Sequence, residues 1–324
     1  MKNILFVTGL SQKFGTGHWR RSLLLGDYLR DKGFGIYFFR LPNGRVYLPE
    51  RRRDVLSYEQ CLSKRLDALI YDFPYEDKRL LRKFSFLKKR GCVFIALDFF
   101  NDSSRSVDVA INLFNQNASW NPRRNMKAHY HESLDYVILQ DHFLKKRRPA
   151  YPNAKRTRCV FIAFGGADPS RLTQKVVEAL LKDPGVSEYE FHIVLGSLSR
   201  DRERLRQLIG KRNNFRVYHD VEDPSALMRR ADLAIAGGAT TVLELLYLMK
   251  PVCMLPQNDR EKAFCDYLLK KRLVSSMSLR DSFNVASLAT LTKRRVRPEN
   301  IRQAVTGAGK RKIEVILRHA IRNA

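Results

Sequence analysis

Phe14-Gly15-Thr16-Gly17-His18-Trp19-Arg20-Arg21 sets an imidazole directly after a glycine turn, where an apolar strand hands over to a helix. A histidine there can act as a general base, because the positive end of a helix disfavours imidazolium and keeps the ring neutral near pH 7. Arg21, one turn on, is spaced to meet an anionic group of a ligand. The competing reading is a structural histidine, one of seven in the chain; the glycine context favours chemistry.

A second turn lies half a chain away. Ala236-Gly237-Gly238-Ala239-Thr240-Thr241, with Glu244 following, ends a strand and opens a helix. Glycine lets backbone approach a ligand, and the unpaired N–H groups and dipole of a helix start favour an anion. Thr240 and Thr241 can cap the helix or donate to phosphate, and Glu244, on the face of Thr240, can accept from ribose hydroxyls. The alternative is a capped turn with a surface glutamate. Phe164-Gly165-Gly166-Ala167-Asp168-Pro169 gives the same half a further glycine turn at a strand end, where open α/β sheets bind ligands. Asp168 before Pro169 reads as a helix cap.

Weaker candidates follow. Asp98 ends a buried strand run and either lines a ligand site or caps a turn. His129-x-His131, with Glu132 and His142 downstream, has some of the spacing of a metal site but polar surroundings that suggest a loop. Nothing in the sequence requires a metal or a cofactor.

These residues need elements to hold them. Apolar, β-branched runs at Ile4 to Thr8, Ile36 to Phe39, Ala68 to Tyr71, Val93 to Leu97, Val109 to Leu113 and Tyr136 to Leu139 predict strands. Helical patterns at Leu23 to Lys32 and Asp77 to Lys89 fall between them. The alternation is that of a parallel βαβ sheet. Residues 145–158, with Pro149, Pro152 and seven Lys or Arg, have no apolar periodicity and read as a linker between residues 1–144 and 159–324. The rhythm then restarts, with strands expected at Cys159 to Phe164, Phe191 to Leu195, Phe215 to Tyr218, Leu233 to Ala236 and Val252 to Leu255. Helices are expected at Arg171 to Leu181, Arg202 to Leu208, Thr241 to Met249, Glu261 to Lys271 and Lys310 to Arg322, and in two-domain folds of this kind the last often packs back on the first domain. The fold class is α/β: two Rossmann-like domains facing a cleft, the first bearing His18 and the second binding phosphate.

Composition bounds the setting. The 324 residues fill two domains comfortably. There is no apolar run of about 18 residues or more and no secretory h-region at the start, so a cytoplasmic location is expected. Five cysteines without a Cys-x-x-Cys pair argue against a disulfide framework or structural zinc site; Cys92, Cys159 and Cys253 lie in apolar runs and read as buried thiols. Sixty Lys plus Arg against 33 Asp plus Glu give a net charge of +27. The basic residues are dispersed and no nucleic-acid module accompanies them, which disfavours nucleic acid as partner. A solvated basic surface is the first reading, and peripheral attraction to an anionic membrane face the second. Oligomeric state is not legible.

In order and spacing, Gly15-x-Gly17-His18-x-x-Arg21, Phe164-Gly165-Gly166-x-Asp168-Pro169, Ala231-Asp232-Leu233-Ala234-Ile235-Ala236-Gly237-Gly238-x-Thr240-Thr241-x-x-Glu244-Leu245 and Gly307-x-Gly309 resemble the motifs of the UDP-sugar hydrolase of pseudaminic acid biosynthesis and its spore-coat polysaccharide relatives. They are more distantly similar to the glycosyltransferase that forms lipid II. The resemblance implies a glycosyltransferase-B-type (GT-B) fold and a UDP-sugar substrate held by Gly165, Gly166, Gly237, Gly238, Thr240 and Thr241, with Glu244 at the ribose. It implies His18 as catalytic base assisted by Arg21, with Gly15, Gly17 and Asp98 on the sugar side. The reaction implied is hydrolysis of a UDP-linked 2,4-diacetamido-2,4,6-trideoxy sugar; transfer of the sugar to an acceptor, or nucleotide-sugar binding without catalysis, are the alternatives. The chain departs from the hydrolase pattern at Leu97-Asp98-Phe99, which keeps one carboxylate of an acidic pair, at Leu139-Gln140-Asp141-His142-Phe143 and at Gln257-Asn258-Asp259. These departures fall on the sugar side more than on the UDP side.

Overall fold

The computed structural model describes residues 1–9, 17–39, 54–73, 78–98, 107–114, 129–144, 159–238, 240–274, 276–277, 296 and 298–324. Gly15 and the basic stretch 145–158 lie outside the described residues. The chain divides into two compact units, Met1–Leu139 with Gly307–Ala324, and Gln140–Thr306. The second unit thus starts ahead of the basic stretch and stops before the last helix.

In the first unit seven strands, β1 (Asn3–Thr8), β2 (Gly35–Phe39), β3 (Val55–Leu56), β4 (Ala68–Asp72), β5 (Val93–Leu97), β6 (Val109–Asn112) and β7 (His129–Glu132), form one sheet ordered β3-β2-β1-β4-β5-β6-β7. Every pairing is parallel. Parallel strands covered on both faces read as continuous apolar runs, and β4 and β5 are buried throughout. Alternate residues feed two cores: Ile4 and Phe6 join Trp19, Leu25 and Phe38 on one face, while Leu5 and Val7 join Leu69, Phe84 and Phe94 on the other. Ile313 and Leu317 of the last helix, Gly309–Arg322, belong to the first of these cores. Its apolar stripe is the reason that helix closes the first unit rather than the second.

Two expectations are corrected here. The run Tyr136 to Leu139 is no strand: Leu134–Tyr136 is a 3₁₀ turn whose first N–H donors meet Ser133, and Val137 then lies under the last helix. Gly309 makes that approach possible, since a Cβ there would collide with the Val137 carbonyl. The sheet edge is taken instead by the polar segment His129–Glu132, expected as a loop. A third difference is smaller: the helix expected over Asp77 to Lys89 is two helices, Lys78–Lys83 and Ser85–Lys88, meeting at the fully buried Phe84.

The second unit carries β8 (Cys159–Ala163), β9 (Glu190–Leu195), β10 (Phe215–His219), β11 (Leu233–Ala236), β12 (Val252–Met254) and β13 (Ser276–Met277), ordered β10-β9-β8-β11-β12-β13 and again all parallel. One core cluster runs from Val160, Ile162 and Phe191 through Leu172 and Val176 of helix Leu172–Leu181 to Leu233 and Cys253. Helices Ser225–Arg230 and Pro298–Ala304 add to those expected. The strand order reverses between β1 and β4 in the first unit and between β8 and β11 in the second, and such switch points are where open α/β sheets bind ligands. All five cysteines are buried free thiols. Among the described residues no helix is long and apolar enough to cross a membrane.

Candidate functional site

In the first unit the switch point gathers three strand ends and a helix start. Thr8 pairs in register with Asp72, so the last residues of β1 and β4 stand side by side, and Thr8 Oγ1 donates to the Asp72 carbonyl at 3.2 Å. Helix Gly17–Asp31 follows β1 and brings His18, Arg21 and Ser22 over that point. His18 Nδ1 lies 2.8 Å from Asp72 Oδ1. Arg21 Nε donates to both oxygens of Asp72 at 2.9 Å, its Nη2 also bonds Asp72 Oδ1, and Ser22 Oγ donates to Asp72 Oδ2 at 2.7 Å. The Arg21 Nη1 group bonds Asp98 Oδ2. Asp98 itself sits just past β5 at φ 53°, with its other oxygen 3.4 Å from the Leu113 amide.

The charges decide the protonation states. Asp72 is 0% exposed, and burial alone would raise its pKa. The Arg21 guanidinium and the His18 hydrogen bond outweigh burial and hold its carboxyl well below the usual carboxylate range. Arg21 is half-buried; desolvation lowers its pKa, and the two carboxylates outweigh that and push it further up. Burial lowers the His18 pKa from 6.5, Arg21 lowers it further, and the bond to Asp72 opposes both. The neutral imidazole expected at the helix start is therefore explained by burial and Arg21. Nδ1 is also 3.0 Å from Arg21 Nη2, yet a ring nitrogen cannot donate to one partner and accept from the other at once. An ionised, buried carboxylate is the stronger claimant, so Nδ1–H faces Asp72 and the lone pair is on Nε2.

In this structure Arg21 and Asp98 are partners of each other. Arg21 donates to both carboxylates, and Asp98 balances its charge. Gly17 heads the helix, exposed, and a Cβ there would meet no described atom within 4 Å. The residue that sequence reasoning missed is Asp72. Its signal was present: a carboxylate closing the apolar run Ala68–Asp72 at the carboxyl end of a parallel strand.

The second unit brings its glycine turns together at the ends of β8 and β11. Gly165, at φ +79°, and Gly166 follow β8; Gly237 and Gly238 follow β11, and the Gly237 amide reaches back to the Ala163 carbonyl at 3.4 Å. Gln257 Nε2 ties the two by donating to the Phe164 carbonyl at 3.0 Å. Asp168 caps helix Leu172–Leu181, accepting from the amides of Leu172 at 2.9 Å and Thr173 at 2.8 Å. Thr240, Thr241 and Glu244, all half-buried, lie in the first turns of helix Thr240–Tyr247.

Glu261 adds what the sequence did not reveal. Asn258 caps helix Asp259–Lys270, and three residues on Glu261 Oε2 reaches back to the Gly238 amide at 2.9 Å and the Gln257 amide at 3.0 Å. This is a capping-box glutamate turned toward a neighbouring turn. The amide of Gly238, expected to meet phosphate, already has an anionic partner. Burial raises the Glu261 pKa, and the two amides oppose it. Gly238 also permits the contact sterically: a Cβ there would fall 2.7 Å from the Glu261 carbonyl and 3.0 Å from Cys265 Sγ.

The weakest candidate group from the sequence is divided between the units. His129, His131 and Glu132 lie on β7, where His131 packs against Tyr136, while His142 belongs to the second unit and pairs with Asp223 at 2.9 Å.

Comparison with known proteins agrees with this architecture. Residues 159–263 match the glycosyltransferase family 28 C-terminal domain. The chain is 26% identical over 286 residues to an uncharacterized protein of Methanocaldococcus jannaschii, an alignment that takes in 83% of this chain but only 58% of that protein. It is 26% identical over 272 residues to the spore coat polysaccharide biosynthesis protein SpsG of Bacillus subtilis, covering 80% of this chain and 78% of the relative. To the UDP-2,4-diacetamido-2,4,6-trideoxy-beta-L-altropyranose hydrolase of Campylobacter jejuni it is 21% identical over 272 residues, covering 79% and 93%. Among solved structures, Acinetobacter baumannii MurG superposes with a TM-score of 0.64 at 14% identity, covering 98% of this chain and all (100%) of that one. The family resemblance carried by the motifs is borne out, and the fold is GT-B-type.

Proposed function

We propose, for a chain of GT-B fold that groups with the spore-coat polysaccharide proteins and the UDP-sugar hydrolases, that it hydrolyses a UDP-linked 2,4-diacetamido-2,4,6-trideoxy sugar to UDP and the free sugar. Action on a nucleotide sugar is the broader part of this proposal, supported by the glycosyltransferase family 28 match; hydrolysis and the identity of the sugar are its finer part. The observation that carries it is the 2.8 Å contact between His18 Nδ1 and Asp72 at a sheet switch point. With Nδ1–H directed at Asp72, Nε2 takes a proton from water as the water oxygen attacks the anomeric carbon. The anomeric C–O bond breaks and its electron pair leaves on the β-phosphate of UDP. Asp72 positions the ring and stabilises the imidazolium that forms, and Arg21 keeps Asp72 ionised. In the second unit Gly165, Gly166, Gly237, Thr240 and Thr241 hold the diphosphate, where first-turn amides of a helix favour an anion, and Glu244 accepts from the ribose.

A second reading, transfer of the sugar to a polysaccharide or lipid-linked acceptor, is favoured by the glycosyltransferase family 28 match and by the net charge of +27, which suits work at an anionic membrane face. A base at His18 deprotonates a sugar hydroxyl as readily as water. Incubating the purified protein with UDP-sugars, with and without acceptors, separates the two: UDP release in water alone supports hydrolysis, and release that depends on an acceptor refutes it. If the wild type binds UDP but turns over no UDP-sugar, catalysis is refuted altogether. His18→Ala is expected to abolish turnover and keep UDP binding.

A further inference from the structure

At the end of β8 opposite its glycine turn, Cys159 comes together with Glu190 and His192 of the neighbouring β9. Cys159 and Glu190 are register partners at the start of β8 and β9, and His192, two residues along β9, faces the same side of the sheet as Glu190. The Cys159 Sγ, a Glu190 carboxylate oxygen and a His192 ring nitrogen all lie within 4.8 Å of one another, the one such grouping of potential metal ligands among the described residues. Cys159 and His192 are buried, His192 to 1% exposure.

His192 Nε2 faces Glu190 Oε1 at 3.3 Å, and neither atom makes a hydrogen bond. On the other side of the ring, Nδ1 lies 3.0 Å from the Tyr218 hydroxyl. In the tautomer whose Nδ1–H donates to Tyr218, the Nε2 lone pair is turned toward Glu190 and can meet a cation there; in the other, Tyr218 donates to Nδ1 and Nε2–H points at Glu190 Oε1. A metal-bound histidine typically fixes its second nitrogen by such an outer bond.

We propose that Cys159, Glu190 and His192 form a binding site for a divalent transition metal of the zinc type. One thiolate, one imidazole and one carboxylate suit zinc rather than magnesium or calcium, which prefer oxygen alone. Binding releases the Cys159 thiol proton to solvent, and metal–ligand bonds form to the sulfur, to His192 Nε2 and to Glu190 Oε1. Arg216 and Arg230 compete for the site, since Arg216 Nη2 lies 3.1 Å from Glu190 Oε1 and Arg230 Nη2 lies 3.2 Å from Oε2. Both arginines are more than half exposed and can turn outward; Arg230 can also remain on the outer oxygen. The site lies one strand length, roughly 16 Å, from the glycine turns, so it clips the starts of β8 and β9 together and takes no part in sugar chemistry. It does not depend on the proposed reaction.

The test is titration of the purified, reduced full-length protein with Co²⁺ as an optical stand-in for Zn²⁺. One equivalent is expected to bind with a thiolate-to-cobalt absorption band that Cys159→Ser abolishes and Cys265→Ser retains. Arg216→Ala, at an exposed position that leaves the fold intact, is expected to tighten binding at least threefold by freeing Oε1. Zinc is expected to raise the thermal midpoint of the wild type and to leave UDP-sugar turnover unchanged. A cobalt spectrum without a thiolate band, the same band in Cys159→Ser, or an Arg216→Ala affinity no tighter than wild type overturns the proposal. Should Cys159→Ser not fold, loss of the band in His192→Gln replaces it, and persistence of the band there overturns the proposal equally.

Discussion

Replacing Asp72 by asparagine keeps the shape of the side chain and removes one charge at the centre of the His18 site. The wild-type carboxylate is fully buried and accepts from His18, Arg21 and Ser22. Removing one member of a buried ion pair costs about 3–5 kcal/mol, and Asp98 still partners Arg21, so the lower end, about 3 kcal/mol, is expected. For a domain of this size that is a fall in thermal midpoint of roughly 6–12 °C. The kinetic effect should be larger than the loss of folded protein. Without the carboxylate, Arg21 Nη2 becomes the dominant partner of Nδ1 and turns Nε2 into the protonated nitrogen, which cannot act as base. A drop in kcat of roughly 10²–10⁴ follows from losing general-base action. The pH profile supplies the discriminating sign. Asp72 raises the His18 pKa, while burial and Arg21 lower it, so the variant has an even lower His18 pKa. The acidic limb of kcat/KM moves to lower pH and raising the pH does not restore activity. The assay is continuous detection of UDP release across pH 4.5–9 at a temperature where the variant is folded, with UDP binding as control. A kcat within threefold of wild type, or a limb displaced to higher pH, would refute the assignment of Asp72 as the positioning residue of His18.

Acid stability follows from the same carboxylate. Its folded pKa is depressed, so its contribution is fully present above the unfolded value of about 3.9 and is lost as pH falls toward the folded value. Urea midpoints should decline steeply below about pH 4 in the wild type and less steeply in Asp72→Asn. Gly238→Ala puts a Cβ 2.7 Å from the Glu261 carbonyl, and the forced backbone shift should cost about 1–3 kcal/mol by denaturant titration and weaken UDP binding. Glu261→Gln removes a negative charge beside the proposed diphosphate cradle while keeping an oxygen to accept from Gly238. UDP should bind several-fold tighter, about 1 kcal/mol by calorimetry at pH 7.5, and tenfold weaker binding would exclude the cradle as placed.

Much of this protein is local and therefore legible in one dimension. Strands Val93–Leu97 and Leu233–Ala236 fall where the apolar runs predict, because a strand buried on both faces must be apolar throughout. The glycine turns are equally local, since Gly165 needs a positive φ and Gly238 has no room for a Cβ. The elements that escaped notice were those whose burial comes from elsewhere. His129–Glu132 is polar and pairs only because β6 offers an edge, and Tyr136 to Leu139 is apolar because it lies beneath the last helix.

The sequence by itself determined the alternation of strands and helices, the two nucleotide-fold halves, and His18 as the residue to watch, since each depends on neighbours within one or two turns of chain. Only the tertiary structure decided what His18 touches. Asp72 is 54 residues away and reaches it through the parallel pairing of β1 with β4, and Arg21 is drawn from solvent to the carboxylates that the same pairing gathers. The Gly238 amide is claimed by Glu261, 23 residues on, and Cys159 meets Glu190 and His192 across a strand pair. Spacing along the chain carries no record of such partners, because a crossover connection of any composition can deliver them.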